Sequence, residues 1–100
     1  MACAASTEPH PPAPFDPDRP HRLHPQVALR PEPFGALAYH YGNRRLTFVR
    51  SPEVVDLLRQ LHAHDSVHRA LEASPIEPAR RPAVLAALAR LCDSEMICAC

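Results

Sequence analysis

The fold is decided by residues 23–49, which read LHPQVALRPEPFGALAYHYGNRRLTFV. Three short runs in this stretch have alternating side chains and end at proline or glycine, which is typical of strands joined by tight turns. The first strand is predicted over Val27–Arg30. It should stop at Pro31, because proline cannot donate a hydrogen bond to a neighbouring strand.

The second and third strands form a predicted hairpin. The second runs from about Gly35 to Tyr41, and the third runs from Arg44 or Arg45 to Val49. Gly42 and Asn43 lie between them, and both residues tolerate a positive φ. They therefore predict a two-residue hairpin turn.

Side-chain size assigns the two faces of this hairpin, because successive side chains of a strand point to opposite faces. The larger side chains of the second strand share one face, and they are Leu37, Tyr39 and Tyr41, opposite Ala36, Ala38 and His40. On the third strand Leu46 and Phe48 are predicted to face the core, with Arg45, Thr47 and Val49 on the other face.

At Ser51 the spacing of the apolar residues changes from every second residue, as in a strand, to one per 3.6 residues, as in a helix. This residue is a good N-cap, Pro52 suits the first turn, and Glu53 complements the positive end of the helix dipole. One buried stripe follows at helical spacing and consists of Val54, Leu57, Leu58 and Leu61. The first helix should end near residues 62–64.

Two further helices follow. A short one is predicted to begin at Asp65 or Ser66, and a loop covers residues 74–81. The third helix should open at Pro82 and end near Asp93 or Ser94. Its predicted apolar side chains are Val84, Leu85, Leu88, Leu91 and Cys92, and Met96 and Ile97 after it are expected to pack on the core.

The predicted fold class is α+β, a three-stranded antiparallel sheet followed by three helices in a winged-helix-like arrangement. Residues 1–20 contain six prolines and are predicted to form a disordered tail, from which Phe15 alone is expected to dock on the domain. The folded domain is predicted to span residues 21–97, with a short tail over residues 98–100. Such a small domain has no room for a deep substrate cavity.

Composition restricts the function. Eleven basic residues, all arginine, balance eleven acidic residues, so the net charge of zero argues against a general nucleic-acid binder. The four cysteines lie at the two ends of the chain and form no disulfide framework. The first ten residues, MACAASTEPH, lack the pattern of a signal peptide, and no apolar run is long enough to span a bilayer. These features predict a cytoplasmic protein that does not bind membranes.

Neither metal binding nor catalysis is predicted. His62, His64 and His68 straddle the junction of two helices, where no single helix presents them together. Cys98 and Cys100 form a Cys-x-Cys pair at the end of the chain, which we interpret as incidental thiols. The sequence also lacks the GxSxG, HExxH and glycine-rich phosphate motifs. We therefore expect no cofactor and no enzymatic activity.

Two binding functions remain. A small sheet followed by helices can leave one strand edge unpaired, and such an edge binds an extended peptide through its free backbone groups. A winged-helix DNA regulator is the alternative, with Arg80, Arg81 and Arg90 near phosphates. The third helix has no Asn, Gln or Lys to read base edges, which favours the peptide.

The runs LHPQVALRPEPFGALAYHYGNRRL, LTFVRSPEVVDLL and ALARLCDSEMI resemble the mycofactocin peptide chaperones of actinobacteria, a branch of the PqqD-like family of RiPP recognition elements. The resemblance covers about residues 21–97. It implies that the chain holds the leader of a ribosomally made precursor peptide as an added strand and presents the peptide to a radical SAM maturase. It also implies a groove between the third strand and the third helix. The implied peptide-binding residues are Arg45, Leu46, Thr47, Phe48 and Val49 from the strand and Val84, Leu85, Leu88, Ala89 and Cys92 from the helix.

Overall fold

The computed structural model describes residues 15–99. Its strands are β1 (His21–Leu23), β2 (Val27–Glu32), β3 (Gly35–His40), β4 (Arg45–Val49) and β5 (Ile97–Ala99). Its helices are α1 (Pro52–Gln60), α2 (Val67–Ala73) and α3 (Arg81–Asp93), with 3₁₀ turns over Leu61–Ala63 and Pro78–Arg80. The predicted α+β class, with a three-stranded antiparallel sheet and three helices, is confirmed.

The helices begin where their capping residues predict. Ser51 is the N-cap of α1, and its hydroxyl accepts a hydrogen bond from the N–H of Val54 at 3.4 Å. Ser66 caps α2 in the same way, accepting from the N–H of Arg69 at 3.1 Å. Pro82 lies in the first turn of α3, where a backbone N–H has no acceptor within the helix, so proline costs no hydrogen bond there.

The helices supply most of the large side chains of the core. The largest apolar side chains that are fully buried are Leu58, Leu61, Leu71, Ile76, Leu88, Met96, Ile97 and Val67. The prediction that Met96 and Ile97 pack on the core is confirmed. Burying such a side chain contributes about 1.5–3 kcal/mol, so this cluster dominates the stability of the domain.

The predicted faces of the sheet were wrong. Ala36 and Ala38 are 0% and 1% exposed and face the helices, whereas Leu46 and Phe48 are 57% and 60% exposed. Because α1 and its neighbours already fill the core with leucines, small side chains fit best at these two positions of the central strand. Side-chain size gave the alternation correctly but assigned the wrong face to the core.

The predicted hairpin turn was also wrong. Residues 41–44 form a four-residue connection between β3 and β4, and Arg44, rather than Gly42, has a positive φ of 63°. Its N–H donates to the carbonyl of His40 at 2.7 Å. The tight two-residue turn instead joins β2 to β3 at residues 33–34, where Gly35 adopts a φ of 146° that other residues rarely reach.

Strand β2 continues through Pro31, which was predicted to stop it. The strand order is β2-β3-β4, so β2 is an edge strand, and Pro31 lies opposite Ala36. The nitrogen of Pro31 points away from β3, because the hydrogen-bonded pairs along this ladder are 28–39 and 30–37. The missing N–H therefore costs the sheet no hydrogen bond.

The ends of the described chain fold back on each other. Strand β1 pairs with β5 in a second, two-stranded sheet, with His21 opposite Ala99 and Leu23 opposite Ile97. Neither strand was predicted, and residues 98–99 belong to β5 although the sequence suggested a tail. Phe15 packs against the core as expected. Residues 16–20, which were predicted to belong to the tail, are also described, and the carbonyl of Pro17 accepts a hydrogen bond from the N–H of His68 in α2 at 3.2 Å. Residues 1–14 of the predicted tail and Cys100 lie outside the described residues.

Within residues 15–99, none of the helices combines the length and the apolar character that crossing a bilayer requires.

Candidate peptide-binding groove

The hydrogen bonds of the sheet show which backbone groups of β4 are free. The N–H of Tyr41 donates to the carbonyl of Gln26 at 3.0 Å, in register with the β2–β3 ladder. Hydrogen-bonded and non-hydrogen-bonded pairs alternate along an antiparallel ladder. The pairs 28–39 and 30–37 therefore exchange hydrogen bonds, and the backbone groups of Ala36, Ala38 and His40 point towards β4.

Strand β4 receives those groups at alternate residues. Arg45, Thr47 and Val49 lie opposite His40, Ala38 and Ala36. Thr47 and Val49 direct their N–H and C=O groups towards β3, whereas the N–H of Arg45 donates to the side-chain oxygen of Asn43 at 2.9 Å. Leu46 and Phe48 direct theirs away from the sheet. In the described chain β4 pairs only with β3, so these four backbone groups form an edge that can accept another strand.

The opposite edge of the sheet is less able to accept a strand. Along β2 the outward residues are Val27, Leu29 and Pro31. The N–H of Val27 already donates to the carbonyl of His24 at 2.9 Å, and Pro31 has no N–H. One outward donor, that of Leu29, is left on β2, whereas β4 offers two on successive outward residues.

A groove of about 470 Å³ runs beside β4 and separates it from α3. Its lining residues come from β4, from the start of α1 and from one face of α3: Thr47, Phe48, Val49, Arg50, Ser51, Val54, Ala87, Arg90, Leu91 and Ser94. Most of the lining is apolar. The groove lies along the free edge, so a peptide paired with β4 would place alternate side chains in it.

The structure places only some of the predicted site residues in this groove. Thr47, Phe48 and Val49 line it, and Arg45 and Leu46 lie on the same strand outside it. On α3, Val84 and Leu88 are buried in the core, Leu85 and Cys92 are half-buried against it, and Ala89 is half-buried.

Sequence reasoning missed the part of α3 that lines the groove. Ala87, Arg90, Leu91 and Ser94 are spaced at i, i+3, i+4 and i+7, so they form one continuous helix face. This face is a mixture of small, charged and apolar residues, and its hydrophobicity is too low to distinguish it. The helical spacing of these four residues is visible in the sequence, but the neighbouring apolar residues of α3 form a clearer pattern, and the prediction followed that pattern.

The groove carries positive charge. Arg50 and Arg90 both line it, both are exposed, and no acidic side chain lines it. The ion pairs found within residues 15–99 involve neither of these arginines; Glu53, for example, pairs with Arg80 at 2.7 Å. An acidic side chain on a bound peptide would therefore be favoured near Arg50 and Arg90.

Cys92 and Cys98 are half-buried thiols. Burial raises the pKa of the Cys92 thiol, and the carboxylate of Asp93 raises this pKa further. Burial likewise raises the pKa of Cys98. A thiol with a raised pKa is a weaker nucleophile at neutral pH. Among the described residues, no group of three or more His, Cys, Asp or Glu side chains is placed to hold a metal ion, and the His68 imidazole lies 3.5 Å from the carboxylate of Asp18.

A pair of histidines in ring contact lies at the end of the sheet away from the β2–β3 turn. The rings of His24 and His40 are 4.4 Å apart, and His40 is buried. Nδ1 of His40 accepts hydrogen bonds from the N–H groups of Gly42 and Asn43, at 3.1 and 3.0 Å. Burial lowers the pKa of His24, and the neighbouring His40 lowers it further. The two hydrogen bonds to His40 hold the β3–β4 connection in place.

The fold and the groove define a class of protein: a small α+β binding domain with an open strand edge beside a helix. Comparison with known proteins identifies the family within this class. The chain belongs to the Peptide chaperone MftB family, whose sequence profile matches residues 20–98. The relatives are named peptide chaperones, which is a non-catalytic role, and the prediction that the chain is not an enzyme is confirmed on that basis.

Three relatives are each called Peptide chaperone MftB. The protein from Mycobacterium ulcerans is 45% identical over 83 residues, which cover 83% of this chain and 76% of the relative. The protein from Mycobacterium tuberculosis is 41% identical over 83 residues, which again cover 83% of this chain and 76% of the relative. The protein from Mycolicibacterium smegmatis is 45% identical over 83% of this chain and 81% of the relative. No solved structure matches the chain at a significant level.

Proposed function

We propose that this chain binds the leader of a ribosomally made precursor peptide by strand addition to β4, and presents the rest of the peptide to a radical SAM maturase in mycofactocin biosynthesis. One observation carries the proposal: the free edge of β4 runs along a mostly apolar groove. The family membership supports the same role, since its members are peptide chaperones.

Backbone pairing supplies attachment. Leu46 and Phe48 offer two N–H and two C=O groups, and each hydrogen bond contributes about 0.5–1.5 kcal/mol net. One or two apolar side chains buried in the groove add about 1.5–3 kcal/mol each. After the cost of ordering the leader, about 2–5 kcal/mol, the upper end of this range corresponds to an affinity that is micromolar or somewhat tighter.

The chemistry belongs to the maturase in this proposal. The chain contributes by holding one end of a flexible peptide close to the enzyme. Tethering of this kind raises the local concentration of the peptide to about millimolar when the connecting segment is short. The chain should therefore be needed in amounts comparable to the peptide rather than in traces.

Reconstitution tests the proposal. The maturase, a dilute precursor peptide and increasing amounts of this chain are combined, and peptide modification is followed by mass spectrometry. We expect modification to rise until the chain equals the peptide, and a fusion of the chain to the N-terminus of the precursor through a flexible linker to remain active. Modification at the full rate without the chain would refute the proposal.

A further inference from the structure

The outer face of the sheet, which points away from the helices, carries an apolar surface. Leu37 lies opposite Phe48, and Tyr39 lies opposite Leu46. Phe34 in the β2–β3 turn adds an edge-to-face contact with Phe48, with ring centroids 5.8 Å apart. We call these five residues the outer apolar surface.

Exposure on this surface increases towards the free edge. Tyr39 on the central strand is 37% exposed, whereas Leu46 and Phe48 on β4 are 57% and 60% exposed. The side chains of the central strand are flanked by both neighbouring strands. Those of β4 are flanked on one side only, so the uncovered apolar area lies where an added strand would place its own side chains.

The register of such a strand follows from the backbone geometry. Leu46 and Phe48 are the residues whose N–H and C=O groups point outward, so each forms a directly opposed pair with one guest residue. Directly opposed residues share a face of the sheet, with their Cβ atoms about 4.5–5.5 Å apart. Two guest residues, separated by one position, therefore lie over Leu46 and Phe48. The guest residue between them points into the groove beside α3.

We propose that the leader is selected on both faces of the sheet: it carries apolar or aromatic side chains at two alternate positions, which pack on Leu46 and Phe48. This inference rests on strand addition at β4 and extends it, because it assigns a specificity role to the outer face of the sheet in addition to the groove. A leader with apolar residues only at the groove-facing positions leaves the outer side chains of β4 uncovered and binds more weakly.

The test compares three variants in binding to a synthetic copy of the precursor leader. Leu46→Thr and Phe48→Thr remove the apolar contact but keep the backbone N–H and a high strand propensity. Tyr39→Thr is the matched control, because it lies on the same face one strand further from the guest. We expect each β4 variant to weaken binding about tenfold and the control to change it by less than about twofold.

A second measurement uses the unmodified protein, so it does not depend on how the variants fold. Serine is placed at each position of the leader in turn, and weakened binding is expected at two outward positions as well as at the position between them. Sensitivity at groove-facing positions alone, or unchanged affinity of both threonine variants, overturns the two-sided selection while strand addition stands. If the unmodified chain does not bind the leader at all, strand addition itself fails, and the selection fails with it.

Discussion

Replacing Phe48 by proline separates the backbone of β4 from its side chains. The nitrogen of Phe48 points away from β3, so proline removes a donor that the folded domain does not use. The guest loses one hydrogen bond, worth about 0.5–1.5 kcal/mol net, and its carbonyl is left without a donor at a cost of about 1–3 kcal/mol. Compared with Phe48→Ala, which removes the same side chain and keeps the N–H, Phe48→Pro should bind the leader about 10- to 100-fold more weakly.

The assay is isothermal titration calorimetry with the synthetic leader, with the free energy of unfolding of each variant measured by urea denaturation. Thr47→Pro gives the contrasting result, because the N–H of Thr47 points towards Ala38 and its loss breaks the β3–β4 ladder. We expect Thr47→Pro to lose stability and Phe48→Pro to remain folded. Equal affinity of the folded Phe48→Pro and Phe48→Ala variants would refute strand addition at this edge.

Three further predictions concern charge, pH and the end of the chain. Arg90→Gln should weaken the binding of an acidic leader about two- to fivefold at low salt and less at high salt, whereas Arg59→Gln, outside the groove, should change nothing. The lowered pKa of His24 means that the unfolded chain binds more protons near pH 6.5 than the folded one. The free energy of unfolding should therefore fall as the pH drops through about 6.5, and this fall should be smaller in His24→Gln; an identical pH profile would contradict the assignment. Ending the chain at Ile97 removes the residues paired with His21 and Arg22 and should cost about 1–3 kcal/mol of stability in urea denaturation, whereas Cys98→Ser should cost much less.

Local signals in the sequence predicted the helices well. Ser51 and Ser66 are caps whose side chains bond to the next turn, and this interaction depends only on residues three positions apart. The strands β1 and β5 could not be found in the same way. Each has three residues, and they pair across most of the length of the domain, so no local pattern marks them.

The inward face of the sheet depended on tertiary packing. The alternation of Ala36 and Ala38 with Leu37 and Tyr39 is evident from the sequence, but it does not show which set faces the helices. That choice depends on the volume that the helices leave free, which alanine fills at residues 36 and 38.

The candidate site was predictable from the strand but not from the helix. Thr47, Phe48 and Val49 line the groove because the second half of β4 forms one of its walls. The helix residues depend on the rotation of α3 about its own axis, which the packing of Leu88 into the core determines. A rotation of one residue exchanges the core-facing and groove-facing positions, so a sequence pattern alone does not separate them.

Amide hydrogen exchange on β4 tests the central claim most directly. The N–H of Thr47 points into the β3–β4 ladder and should be protected with or without peptide, whereas those of Leu46 and Phe48 point outward. NMR exchange rates are measured for the free chain and with the leader at saturation. We expect the amides of Leu46 and Phe48 to slow strongly on binding while that of Thr47 changes little. A bound leader that leaves the exchange of Leu46 and Phe48 unchanged would contradict strand addition at β4.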